Sequence, residues 1–198
     1  MSLRKKIYQS DYPYHIYNRC NNREFLFERQ KYFPLFMDCI QGISKKTNFQ
    51  CHHFILMTNH FHMIGSTPKS NLYEFMKTFQ TTISQLINAM SGRANHIFGG
   101  RYRATVIASE QYLINVIRYL YQNPVKAKIV KNSKDYPFST LHAYMNGQWK
   151  KRGLYPDPYI KVLCQNGNFK ILEEVAENKL DDDTWDDTQI KLRKREIK

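Results

Sequence analysis

Two strand-forming runs, residues 49–57 and 60–65, are separated by only Thr58 and Asn59. So short a connection turns the chain back on itself as an antiparallel hairpin. Any fold for this chain must therefore contain a β-hairpin, and its return strand opens on His60, Phe61 and His62. Side chains alternate across a strand, so the two imidazoles project from one face at the rim of the sheet, where a substrate has access. Two neutral imidazoles side by side can chelate a divalent metal; two ordinary strand histidines satisfied by hydrogen bonds are the bland alternative.

The hairpin is flanked by helical patterns. Phe33, Phe36, Met37, Ile40 and Ile43 recur at spacings of three and four, predicting an amphipathic helix over about 30–46. Leu72, Phe75, Met76, Phe79, Ile83, Leu86, Ile87 and Met90 do the same for a long second helix, which Gly92 should stop. Residues 14–19 read as a first strand before the turn signal Asn21, Asn22, Arg23, and 104–108 as a fourth. A third helix is expected over 110–123, ended by Pro124, because a residue before proline is biased away from helical geometry. A lysine-bearing loop over 126–147 with a short helix at 139–145 follows, then a helical stretch near 169–176. The order of strands and helices is that of an α+β domain.

Charge narrows the function. The chain carries 30 Lys+Arg against 17 Asp+Glu, a formal +13. Residues 179–198 hold six acids and six bases, so the whole excess sits on residues 1–178. A polyanion is the natural partner, and 14 Tyr and 12 Phe offer rings for unpaired bases, which favours nucleic acid over a membrane surface. No run approaches 18 apolar residues and the basic N-terminus lacks an apolar signal core, so a soluble, cytoplasmic protein is expected. Cys20, Cys39, Cys51 and Cys164 are widely spaced, which argues against a zinc ribbon or a redox motif and for reduced thiols.

Two further stretches carry chemistry. Phe98, Gly99, Gly100, Arg101, Tyr102 and Arg103 join a glycine pair to two arginines around an aromatic, suited to phosphates and bases or simply to a hairpin turn. On the third helix Tyr119 and Asn123 are four apart and share a face, offering a phenol and an amide oxygen together. A cation near a phenol favours the phenolate, and a phenolate can attack a phosphodiester.

These blocks, in the order Asn59-His60-Phe61-His62, Phe98 to Arg103, Arg118-Tyr119-Leu120-Tyr121-Gln122-Asn123-Pro124, then Asp135-Tyr136-Pro137-Phe138-Ser139-Thr140, resemble the REP-associated tyrosine transposases. That family is a branch of the single-tyrosine HUH transposases of bacterial insertion sequences. Tyr17-Asn18-Arg19-Cys20-Asn21-Asn22-Arg23 is similar to its first strand and turn, and the likeness spans roughly residues 8–147. It implies an antiparallel β-sheet with ferredoxin-like helices plus a small C-terminal extension. It further implies His60 and His62 as a metal pair, Asn123 as third ligand, and Mg2+ or Mn2+ as cofactor. Tyr119 becomes the nucleophile, with Tyr121 as the competing candidate. Arg19, Arg23, Arg101, Tyr102, Arg103, Arg118 and Lys126 become DNA contacts. The expected partner is single-stranded DNA with a palindromic hairpin, the expected reaction strand cleavage and transfer through a 5′-phosphotyrosine, and the expected state monomer or homodimer, with the tyrosine helix supplied in cis or in trans. A domesticated hairpin-binding protein without turnover is the alternative. The expected organisation is a catalytic and DNA-binding domain over 1–147, a small appendage over 148–178 and a disordered mixed-charge tail over 179–198.

Overall fold

The structure, a computed structural model, describes residues 9–10, 12–157, 161 and 169–177. The N-terminal basic run, Cys164 and the mixed-charge tail lie outside the described residues. In chain order the elements are β1 (Pro13–Arg19), α1 (Arg29–Thr47), β2 (Gln50–Leu56), β3 (His60–Ser66), α2 (Leu72–Ser91), β4 (Arg103–Val106), α3 (Glu110–Lys126), α4 (Leu141–Met145) and α5 (Lys170–Glu177), with 3-10 turns at Asn21–Arg23 and Ser133–Asp135.

The four strands form one sheet in the order β2-β3-β1-β4, every pair antiparallel. Read with its helices, β1-α1-β2-β3-α2-β4 is the ferredoxin-like βαββαβ arrangement. The hairpin closes through Met57 N–H donating to the His60 carbonyl at 2.8 Å. Both long helices stop where the chain turns left-handed, α1 at Asn48 (φ 57°) and α2 at Gly92 (φ 66°).

Alternation along the strands divides the sheet into two faces. Phe54 and Phe61 point to one, where Phe36 of α1 and Phe79 of α2 meet them with ring centroids 5.6–6.1 Å apart. Phe49 stacks on Phe75 at 3.8 Å, and Gly65 is the residue that admits it, since a Cβ there would lie 2.2 Å from the Phe49 ring. The opposite face carries His15, Tyr17, His53, His60 and His62, and α3 lies across its β2–β3 half. The stacked phenylalanines thus sit under α1 and α2, while the histidines share the other face with the buried apolar residues Leu113, Val116, Ile117 and Leu120 of α3.

Three expectations need correction. Strand β4 spans Arg103–Val106 rather than 104–108, and α4 starts at Leu141 rather than 139. Helix α3 does not stop at Asn123 but continues to Lys126 with Pro124 inside it. Proline cannot donate to the carbonyl four residues back, that of Leu120. The Asn123 side-chain amide donates there instead, at 3.3 Å, and to the Tyr119 carbonyl at 2.7 Å.

The described residues after Gly147 pack into the body. Leu154, Asp157, Phe169, Leu172 and Ala176 are buried, and α5 lies against α3. Phe169 meets Tyr144 at 5.0 Å. Cys20 and Cys51 are buried free thiols and Cys39 is half-buried. Burial pushes the Cys20 thiol up to about 12 and the Cys51 thiol higher still, so neither is a nucleophile at neutral pH. No helix among the described residues is long and apolar enough to cross a membrane.

Candidate active site

His60 and His62 leave the start of β3 on the α3 side, their rings 5.1 Å apart and nearly perpendicular. The tautomer of His60 follows from its neighbour. Asn59 donates through Nδ2 to the Arg23 carbonyl at 3.2 Å, which leaves its Oδ1 as the atom 2.6 Å from His60 Nδ1. That oxygen only accepts, so Nδ1 carries the hydrogen and Nε2 keeps a lone pair. Burial lowers the pKa of His60 to about 4, helped by the charge of Arg19 and opposed by a hydrogen bond with the Asn123 side chain. Burial also holds His62 well below 6.5, with His15, His60 and Arg19 adding to the effect. Both imidazoles are therefore neutral at pH 7, the state a metal requires.

Helix α3 brings the other half of the site. Tyr119 sets its ring edge-on to His62 at 5.4 Å and to His15 at 6.0 Å. Asn123, one turn on, uses its Nδ2 for the two backbone carbonyls, so its Oδ1 is the atom turned to His60. Within this chain α3 packs on β2 and β3, which sets both residues against its own histidine strand. Tyr121 points elsewhere. It is 1% exposed, its hydroxyl bonded to His53 Nδ1 at 2.8 Å and to Thr140 at 3.0 Å, and burial raises its pKa far above the ordinary tyrosine value. Its surroundings are those of a packing tyrosine, with the ring buried and the hydroxyl bonded on both sides.

Two neutral imidazoles, His60 and His62, together with an amide oxygen form a donor set of borderline and hard atoms, suited to Mn2+ or Mg2+. The bond to Asn123 favours the protonated ring; with the neutral ring's hydrogen on Nδ1, His60 has none to donate to that amide oxygen, a juxtaposition that a cation relieves. Among the described residues no three His, Cys, Asp or Glu side chains are grouped as a metal site, so a cation here would rest on two imidazoles and the amide.

The residues expected to meet DNA divide. Arg19, Arg23, Arg101, Arg103 and Lys126 are exposed. Arg19 ends β1 directly opposite His60 in the ladder, and Arg101 lies over the Tyr73 ring at 5.9 Å. Tyr102 differs from expectation: it is 7% exposed and joins the core, because strand alternation at the entry to β4 turns it inward while Arg101 and Arg103 turn out. Arg118 is half-buried and donates through Nε to the Val175 carbonyl at 3.3 Å, tying α3 to α5.

Two residues of the site escaped sequence reasoning. His15 and Tyr17 are on β1, two apart and hence on one face, with Tyr17 directly opposite His62 in the ladder. His15 Nε2 lies 3.0 Å from His62 Nδ1, and Tyr17 packs 5.5 Å from the His62 ring while accepting from Arg103 at 3.4 Å. The available signal was the alternation of Tyr14, His15, Ile16 and Tyr17, which sets a polar face on a central strand; which strand pairs with the histidine strand is a tertiary fact.

A family model for IS200-like transposases matches residues 8–123, more than half of the chain. The chain belongs to the IS200-like transposase family. This transposase is 26% identical over 139 residues to the REP-associated tyrosine transposase of Escherichia coli (strain K12), covering 70% of this chain and 78% of the relative. Its fold is that of a REP-associated tyrosine transposase solved bound to a REP hairpin, at a TM-score of 0.59 and 23% identity, covering 79% of this chain and 89% of that one. Family membership makes this transposase an enzyme of DNA transposition or DNA processing.

Proposed function

We propose that the protein is a metal-dependent single-strand DNA endonuclease and strand transferase that acts beside hairpins through a covalent 5′-phosphotyrosine on Tyr119. The observation that carries this reading is the contact of the Tyr119 ring with His62, on the side of the sheet where His60 and Asn123 also converge. A divalent ion bound by His60, His62 and Asn123 would polarise the scissile phosphate and stabilise the charge on its departing oxygen.

The chain's own residues do the rest. The Tyr119 oxygen attacks phosphorus, giving up its phenolic hydrogen as a proton, while the P–O3′ bond breaks and the departing 3′ oxygen takes up a proton. One phosphodiester is exchanged for another, so the bond energy is retained and a second 3′ hydroxyl can reverse the step on a different strand. Helix α3 is held against β2 and β3 and braced by α5, which fixes the phenol against the histidines and limits the reorganisation needed at the moment of attack. Arg19 and Arg103, exposed at the rim, have no carboxylate partner among the described residues and are free to take phosphate oxygens. A formal charge of +13 supplies the long-range attraction. The hairpin as substrate is supported by the relative solved bound to a REP hairpin.

The test is a labelled oligonucleotide carrying a hairpin and a single-stranded flank, incubated with the protein and Mn2+ and run on a denaturing gel. A protein-linked band is expected, lost with EDTA and with Tyr119→Phe. Tight hairpin binding with no adduct across many palindromes would replace this reading with that of a binding protein.

A further inference from the structure

His15 belongs to none of the motifs that mark the family in this chain, yet its ring is 1% exposed and hydrogen-bonded to a proposed metal ligand. We propose that His15 is a positioning residue: it accepts the Nδ1 hydrogen of His62 and so keeps the His62 Nε2 lone pair available to a divalent cation shared with His60 and Asn123. This inference rests on the metal-dependent reading above.

The hydrogen bond between the two rings is 3.0 Å long, and the rings lie 5.2 Å apart at an interplanar angle of 24°. Both rings are buried, neither has an ion-pair partner among the described residues, and a single hydrogen lies between the two facing nitrogens. Two arrangements satisfy that bond. If His62 Nδ1 donates to His15 Nε2, the second nitrogen of His62 has a lone pair. If His15 Nε2 donates instead, that nitrogen of His62 carries hydrogen and cannot bind a metal. His15 Nδ1 has no partner among the described residues in either case, so that atom gives no preference between them. What decides is the group that meets His62 Nε2, and a cation there selects the first arrangement.

His60 makes the contrast. Its Nδ1 faces the side-chain Oδ1 of Asn59, which only accepts, so its tautomer is fixed before any metal arrives. His62 has no such fixed acceptor. Its one hydrogen-bond partner among the described residues is His15, a group able to donate or accept. Metal ligands of this kind lose about 10–100-fold in affinity when the outer partner is removed. The position of His15 on β1, diagonal to His62 across the ladder, makes this partnership a property of the sheet itself.

The test measures Mn2+ affinity by calorimetry on the full chain without DNA, for the wild type, His15→Phe and His15→Gln. Thermal unfolding and hairpin affinity in EDTA report separately on the fold. Phe keeps the bulk and removes the acceptor, so Mn2+ affinity should fall about 10–100-fold with hairpin affinity unchanged. Gln retains an acceptor oxygen and should recover most of the loss. A folded Phe variant that binds Mn2+ like the wild type, or a folded Gln variant as weak as Phe, overturns the proposal. Should Phe fail to fold, 15N imidazole spectra of the wild type with Zn2+ decide. Hydrogen on His62 Nδ1 and metal on Nε2 are expected, and the reverse refutes the role. A wild type that binds no cation at all defeats the metal-dependent reading itself, an outcome distinct from the others.

Discussion

Two clusters of histidine and tyrosine lie on the same face of the sheet, one fully buried and the other partly open, and α3 contributes a tyrosine to each. Around Tyr121, His53 uses both ring nitrogens, Nδ1 to the Tyr121 hydroxyl at 2.8 Å and Nε2 to Asp157 at 3.0 Å, while Thr140 ties the hydroxyl to β2 through the Phe54 backbone. Around Tyr119, His60 and His62 each use Nδ1 within the protein; His62 has no second partner among the described residues, and His60 meets only the amide of Asn123. Residue types are nearly the same in the two places. The difference is whether hydrogen-bonding capacity is used up: a saturated network specifies packing, and one with lone pairs left over specifies a ligand.

Four measurements would break or sharpen this contrast. The largest effect is expected from Tyr119→Phe, which should reduce adduct formation by at least about a thousand-fold while leaving thermal unfolding unchanged, as removal of a nucleophile does. An equal adduct yield would dissolve the distinction between the clusters. Next comes Asp157→Ala, which leaves a ring nitrogen of a fully buried histidine without its hydrogen-bond partner and should cost about 1–3 kcal/mol in urea unfolding. A loss under about 1 kcal/mol would mean that the second cluster is not structural.

Acid should act through the first cluster. His15 has a pKa of about 4 when folded against 6.5 for an unperturbed histidine, so the unfolded chain takes up the proton more readily. Its contribution is whole above pH 6.5 and is lost as pH falls toward 4, up to about 3 kcal/mol for a shift of this size. His60 adds a loss in the same window. Stability measured from pH 7 to 4 should decline, and less steeply in His15→Gln; an unchanged slope would deny His15 its part. The smallest effect is that of Tyr121→Phe, about 1–3 kcal/mol for leaving the His53 nitrogen and Thr140 without their shared partner. The adduct should still form, and its disappearance would return Tyr121 to candidacy.

Much of the fold could be read from periodicity. The predicted helix over 30–46 is observed as Arg29–Thr47, and His60 does open the return strand. Those elements are long or tightly punctuated, so local pattern and tertiary packing agree. Tyr119 and Asn123 were placed on one face by helical spacing alone. What stayed hidden depends on contacts distant in sequence. His15 acquires meaning from pairing with β3, and Asp157 from docking against His53, 104 residues earlier. The rule that proline ends a helix failed at Pro124 because a side chain, which propensity does not count, took the place of the missing donor.

That substitution constrains evolution at two positions jointly. The carbonyl released by Pro124 is what engages Nδ2 of Asn123, and an amide anchored by its nitrogen cannot flip, so its oxygen is presented to His60 in a single orientation. Replacing the proline would return the Leu120 carbonyl to an ordinary backbone donor and loosen that rotamer. Variation at 124 should therefore be felt as a change in the chemistry offered by 123, an epistasis written into one turn of helix.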